Sequence, residues 1–219
     1  ESLKAVLETI EFNFAIGTSY FLEIAKIRAF RTLWATIVSE YDKGMSDFTI
    51  KIAAVTSNFN YSLADKYNNL LRATTGAMSA VIAGIDALVV LPFDYNEEKD
   101  SESFGLRLAK NIQLLMQEEA YLNQVVDPSG GAYYIETLTE QIQLNAWKQF
   151  QDFEEKGGIM SLLSQGELQT MIEQQHLAKE KMLLDEDKVM IGVNKFVNDK
   201  EELGSVLFKE KNEVGVFKS

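Results

Sequence analysis

The stretch F48-TIKIAAVTSNFNYSLADKYNNLLRATTGAMSAVIAGIDALVV-L91 decides the fold. Phe48 to Val55 alternates and is rich in β-branched and apolar residues, as a strand is. Asp65 to Ala83 then repeats its apolar and small residues at helical spacing, and Gly84 closes it, as glycine often does just past a helix end. Ala87 to Leu91 is short and almost wholly apolar, the pattern of a strand covered on both faces. Strand, helix, strand at this spacing is a βαβ unit, and such units build a parallel sheet.

The same alternation continues to either side. Ile10 to Ile16 reads as a strand. From Thr18 to Tyr41 the apolar residues Tyr20, Ile24, Ile27, Trp34, Val38 and Tyr41 keep a helical period, with Thr18 or Ser19 as N-cap and Gly44 beyond the end. Ser101 to Tyr121, Ile135 to Phe153 and Glu167 to Leu184 read as helices. Asp127-Pro128-Ser129-Gly130-Gly131 is a turn cluster, Gly157-Gly158 a helix stop, and Val189 to Val193 a fourth strand. Four parallel strands are therefore expected near residues 10–16, 49–56, 86–91 and 189–194. A closed (β/α) barrel needs eight strands and about 250 residues. The expected fold is an α/β half-barrel over residues 1–196, followed by a charged tail or linker over 197–219. Its two open sheet edges would invite a partner.

Composition narrows the function. The chain has 219 residues, no cysteine, and a net charge of −12. Disulfides, thiolate nucleophiles and cysteine-ligated metals are excluded, and a cytoplasmic location fits. The acidic balance argues against nucleic acid, which needs a basic footprint. No apolar run approaches the roughly 18 residues of a membrane span, and no signal peptide is expected from the opening residues, whose first need not be the native start. His176 is the one histidine, in a polar helical stretch, and reads as a solvated surface residue rather than a metal ligand. Glu118-Glu119 and Glu154-Glu155 read as solvated faces, since adjacent helix positions do not face each other. Gly130-Gly131 lacks the spacing of a phosphate loop. The aromatic stripe of Phe30, Trp34, Trp147, Phe150 and Phe153 reads as core.

Several longer motifs carry a resemblance. Ile24-Ala25-Lys26-Ile27-Arg28-Ala29-Phe30-Arg31-Thr32-Leu33-Trp34 is one. Thr56-Ser57, Asp65, Tyr67-Asn68-Asn69 and Arg72-Ala73-Thr74-Thr75 form another. Gly105 to Gln113 with Gln117-Glu118-Glu119, Val126 to Gly131, and Ile191-Gly192-Val193-Asn194-Lys195 complete the set. In this order and spacing they resemble the second half of the acyl-CoA-binding barrel of the methylmalonyl-CoA mutase family. The resemblance implies a radical isomerase that interconverts methylmalonyl-CoA and succinyl-CoA with adenosylcobalamin. It also implies a barrel that threads the CoA chain along its axis and a separate corrin-binding domain. Some bacterial members are heterodimers of a large catalytic subunit and a small, degenerate one.

The departures from the family pattern indicate which subunit this chain resembles. The pattern His-x-Gln-Thr-Ser-Gly-Trp reads here Ala53-Ala54-Val55-Thr56-Ser57-Asn58-Phe59, so Ala53 and Val55 replace the His and Gln. Arg-Leu-Ser-Phe-Phe-Trp reads Thr9-Ile10-Glu11-Phe12-Asn13-Phe14, with Thr9 for the arginine and Glu11 for the serine. Gly-Thr-Gln-Ser-Leu-His reads Gly84-Ile85-Asp86-Ala87-Leu88-Val89, with Asp86 for the Gln and Val89 for the His. An anionic acyl-CoA needs donors and positive charge, and this chain offers methyl groups and carboxylates. The expectation is a non-catalytic small subunit that binds neither cofactor nor metal, with adenosylcobalamin held by a large catalytic partner chain. The alternative is a divergent active mutase that uses Glu11, Asp86 and Asn58 at the barrel mouth. Tyr67, Asn68, Asn69 and Arg72 are expected to fix a βα loop. Asp127, Gly130 and Gly131 are expected to set a turn, and Arg28 and Arg31 to face neighbouring helices or a partner.

Overall fold

The computed structural model describes residues 3–45, 50–96 and 104–198. In chain order they form α1 (Leu3–Leu7), β1 (Glu11–Ile16), α2 (Tyr20–Tyr41), β2 (Lys51–Thr56), α3 (Asn68–Ile82), β3 (Ala87–Val89), α4 (Phe104–Glu118), α5 (Tyr133–Glu155), α6 (Gly158–Gln165) and α7 (Glu167–Leu184). The sheet is parallel, in the order β1-β2-β3. Residues 46–49 and 97–103, which include the expected starts of the second strand and the third helix, lie outside the described residues, as do 199–219 of the tail.

Alternation along the strands sets the two faces of the sheet. Phe12, Phe14 and Ile16 of β1 and Ile52 and Ala54 of β2 pack into the core with Ile24 and Ile27 of α2 and Ala80 and Ala83 at the end of α3. Phe12 meets both Phe30 and Trp34 edge-on with centroids 4.7 Å apart, a favoured aromatic geometry. A second cluster joins Ala73 and Ala77 of α3 to Ala109, Ile112 and Met116 of α4. Gly76 lets α3 approach the chain after β1, since an added Cβ would stand 3.3 Å from the Gly17 carbonyl.

Three expectations are corrected. The fourth strand is a turn. Gly192 takes φ +77°, Gly192 donates to the Lys195 carbonyl at 2.8 Å, and Val193 and Asn194 donate to the Met190 carbonyl at 3.0 and 3.1 Å. The Asn194 side chain accepts from the Met190 N–H at 2.7 Å and donates to Lys188 and Leu183 carbonyls. These local bonds take up the groups that a strand would have offered to a neighbour. β3 is covered on one face only, and Val89 is 56% exposed. The aromatic stripe divides: Phe30 and Trp34 are packed, whereas Trp147 and Phe150 pair with each other on α5, where Phe150 is exposed. Beyond Gly157, at φ +94°, the chain starts α6. No residue of α7 is fully buried.

Candidate functional site

Among the described residues, the face of the sheet opposite the helices is bare. In register across it lie Glu11 and Lys51, then Asn13, Ala53 and Ala87, then Ala15, Val55 and Val89. All are exposed or half-buried, while their alternate neighbours fill the core. Ala53, Val55 and Val89, the positions where the family pattern has His, Gln and His, thus share this face. Its two inner rows carry one amide, Asn13, and otherwise methyl groups. They hold no acid or base to move a proton and no cation to meet a phosphate. The charged groups on the face are Glu11 and Lys51, at the N-terminal ends of their strands. These residues do not fit an acyl-CoA polyanion.

The other departed positions lie elsewhere. Thr9 closes α1, its hydroxyl donating to the Val6 carbonyl at 2.7 Å. Asp86 shares the outward parity of Leu88 and sits at the N-terminal end of β3. Its carboxylate accepts from the Ile52 N–H at 2.8 Å and stands 3.6 Å from the Arg31 guanidinium. Asn58 lies past the opposite, C-terminal end of β2. Glu11, Asp86 and Asn58 therefore do not converge on one mouth, and the constellation suggested for a divergent enzyme is not assembled.

The retained motifs are structural at the C-terminal ends of the strands. Buried Thr56 accepts from the Leu91 N–H at 2.8 Å, and the Tyr61 hydroxyl donates to the Leu91 carbonyl at 3.1 Å, so the two tie β2 to the chain leaving β3. Burial pushes the Tyr61 phenol up. Ser57 Oγ accepts from the Phe59 N–H at 3.3 Å. Asn69 is 1% exposed. Its Nδ2 donates to the Ser62 and Phe93 carbonyls at 2.7 and 3.0 Å, and its Oδ1 accepts from the Ser62 N–H at 3.0 Å and from Arg72 at 2.8 Å. Arg72 also donates to the Ile191 carbonyl at 2.5 Å, and Asn68 donates to Asp65 at 2.6 Å. Tyr67 stacks at a tilt on Phe93, with centroids 5.2 Å apart.

A second set of pins holds α2. Arg28 pairs with Asp127 and donates to Glu136 at 2.7 Å. Glu136 also accepts from the Gly131 N–H at 2.9 Å, in a turn where Asp127 has φ +46° and Gly131 φ +80°. Gly130 donates to the Asp127 carbonyl at 3.0 Å. Burial pulls the Arg28 guanidinium down, but the hydrogen bonds and charges of Asp127 and Glu136 outweigh it, and the net shift is upward. The Gly131 N–H first, and Arg28 second, hold the Glu136 carboxyl below its ordinary 4.5. A carboxylate stabilised in the folded state contributes stability above its unfolded pKa and loses it as the pH falls through the folded one. The difference in melting temperature between the native chain and Glu136→Gln is expected to be constant above about pH 5 and to shrink below about 4.5. Melting curves from pH 3 to 7 check this. Arg31 reaches the Gly84 and Ile50 carbonyls. Both arginines thus join elements within this chain.

His176 sits on α7, not on the sheet. Its Nε2 is 3.1 Å from Glu180, and its ring meets the edge of Phe59 with centroids 5.8 Å apart. It is half exposed, close to the expected surface role, and no Asp-x-His-x-x-Gly pattern surrounds it. These partners do not fit a histidine presented to a corrin cobalt. Among the described residues no group of three or more His, Cys, Asp or Glu could hold a metal ion. No described helix is long and apolar enough to cross a membrane.

Comparison with known proteins places these features. The sequence model of the methylmalonyl-CoA mutase family matches residues 2–215. The methylmalonyl-CoA mutase small subunit of Porphyromonas gingivalis (strain ATCC BAA-308 / W83) is 41% identical over 203 residues, covering 92% of this chain and 33% of that protein. The methylmalonyl-CoA mutase of Escherichia coli (strain K12) is 36% identical over 200 residues, covering 90% of this chain and 28% of that protein. The methylmalonyl-CoA mutase large subunit of the same Porphyromonas strain is 31% identical over 209 residues, with coverages of 91% and 28%. The chain thus spans about a third or less of the length of these relatives. With the family's motifs found here in the loops and pins that hold a parallel βα sheet, and residues 2–215 of the chain matched by its sequence model, the chain belongs to the methylmalonyl-CoA mutase family.

Proposed function

We propose that this chain is part of the small subunit of an adenosylcobalamin-dependent methylmalonyl-CoA mutase, and that it serves assembly rather than chemistry. The observation that carries this reading is the bare sheet face, where Ala53, Ala87, Ala15, Val55 and Val89 present only methyl groups, three of them at positions where the family pattern has His, Gln and His. The interconversion of methylmalonyl-CoA and succinyl-CoA then belongs to a large catalytic partner subunit, which also holds the adenosylcobalamin. Porphyromonas gingivalis, whose small subunit shares 41% identity with this chain, also has a large one. The bare face and the open edges of β1 and β3 fit the completion of a barrel by chain outside this stretch. Residues 1–196 are the proposed barrel portion and 197–219 the proposed tail or linker. A cytoplasmic setting suits a chain without cysteine.

The test is restoration. Ala53→His with Val55→Gln, in the protein that carries this chain and without the large partner, is expected to give no mutase turnover with adenosylcobalamin and methylmalonyl-CoA. Groups that act as a unit are non-additive, and the arginine replaced by Thr9 is still missing. Turnover by the double variant would overturn the proposal.

A further inference from the structure

A cleft of about 260 Å³ opens past the C-terminal ends of β1 and β2, between α3 and the turn that follows α7. It is not on the bare sheet face, and the family motifs lend it Asn68, Arg72, Thr75 and Ile191. Its lining is unusual for this chain. The whole sequence has 33 acidic and 21 basic residues, yet among the described residues Arg72 and Lys188 line the cleft and no carboxylate does. A guanidinium has five N–H donors. Two of these are seen in the bonds to Asn69 and Ile191. Burial pulls the Arg72 guanidinium down, with Asp65 opposing it, so an added anion would find a cation only partly compensated. Thr18, Asn60, Asn68 and Thr75 add neutral polar groups. The rest is apolar: Leu71, Leu183, Val189 and Ile191 line it, and Leu71 is 64% exposed.

We propose that this cleft binds a small amphiphilic carboxylate, its acid group on Arg72 and Lys188 and its short apolar chain against Leu71, Leu183 and Ile191. The volume is below the range of about 300–1,000 Å³ usual for drug-sized ligands, so the ligand has a few carbons rather than a nucleotide's bulk. Inorganic phosphate would meet the cations and leave the apolar wall unfilled. A neutral alcohol would do the reverse. The cleft selects a molecule that does both.

Fluorine NMR of 6,6,6-trifluorohexanoate with the intact protein that carries this chain tests it. Saturable binding is expected, at least about tenfold tighter than that of the matching alcohol, since a charge-assisted hydrogen bond is worth roughly tenfold or more. Lys188→Gln is expected to weaken binding about tenfold, and Leu71→Asp to abolish it. Leu71 is exposed and Lys188 half-buried, melting curves check that both variants keep the fold, and Arg72 is left alone because it also pins Asn69. Unlabelled hexanoate should displace the probe and phosphate should not. No saturable binding, equal binding of the alcohol, indifference to both variants, or displacement by phosphate as strong as by hexanoate would each overturn the assignment.

Discussion

Replacing Asn69 with alanine is expected to lower the stability of the fold by about 3–4 kcal/mol, one of the largest effects of any single change in this chain. The side chain is buried and makes all four hydrogen bonds that an amide can make. Removing it strands the Ser62 N–H and the Ser62 and Phe93 carbonyls away from water, each at about 1–3 kcal/mol if no water replaces the amide. It also takes an acceptor from Arg72. Asn69→Asp separates bonding from volume. It keeps the size and the acceptors, but it loses both donors and turns a carboxylate toward two carbonyl oxygens. A loss of similar size is expected, seen as a fall in melting temperature of roughly 10 °C. A fall of less than about 3 °C in both variants would show that the loop after β2 is not built on this residue.

The second large effect is at Gly192, where two readings of one stretch give opposite signs. In a strand, Gly192→Val would add β-propensity and stabilise. In the observed turn the residue has φ +77°, which costs an L-residue about 1–2 kcal/mol and a β-branched one more. An added Cβ would also stand 2.8 Å from both the Asn68 amide nitrogen and Asp65 Cβ. Such overpacking typically costs a further 1–3 kcal/mol or so. Gly192→Val is expected to destabilise the turn by about 3 kcal/mol and to release the Ile191 carbonyl from Arg72. Hydrogen exchange at Gly192 to Asn194 should then speed up, and melting should come earlier. Unchanged exchange with a higher melting temperature would restore the strand.

How much of this was legible in the sequence depended on whether the signal was local. The βαβ core over residues 48–91 was readable because β-branched runs and a closing glycine are local, and β2, α3 and β3 lie where periodicity put them. The stretch 189–194 misled because Val189, Ile191 and Val193 alternate like a strand. The competing cues were Gly192 and Asn194, whose backbone freedom and side-chain hydrogen bonds favour a turn. Ile159, Leu162 and Leu163 carried a helical spacing that marked α6, but the double glycine before them read only as a stop. The apolar run of β3 suggested cover on both faces, because sequence records what a strand requires, not which chain supplies it. The bare face was legible only through the family pattern: Ala53 and Val55 look like ordinary strand residues until the resemblance shows what they replace. Asp86 could not be placed from sequence, since its role depends on Arg31 and the Ile52 N–H, far away along the chain.

The central claim is that this part of the family fold has kept its scaffold and lost the acyl-CoA site on its sheet face. Equilibrium binding of a non-reacting acyl-CoA analogue to the purified complex of the protein that carries this chain with a large mutase subunit tests it most directly. The account predicts one acyl-CoA bound per pair, and no binding tighter than about millimolar, a level worth only about 4 kcal/mol, when the large subunit is absent. Two acyl-CoA molecules per pair, or micromolar binding without the large subunit, would contradict it.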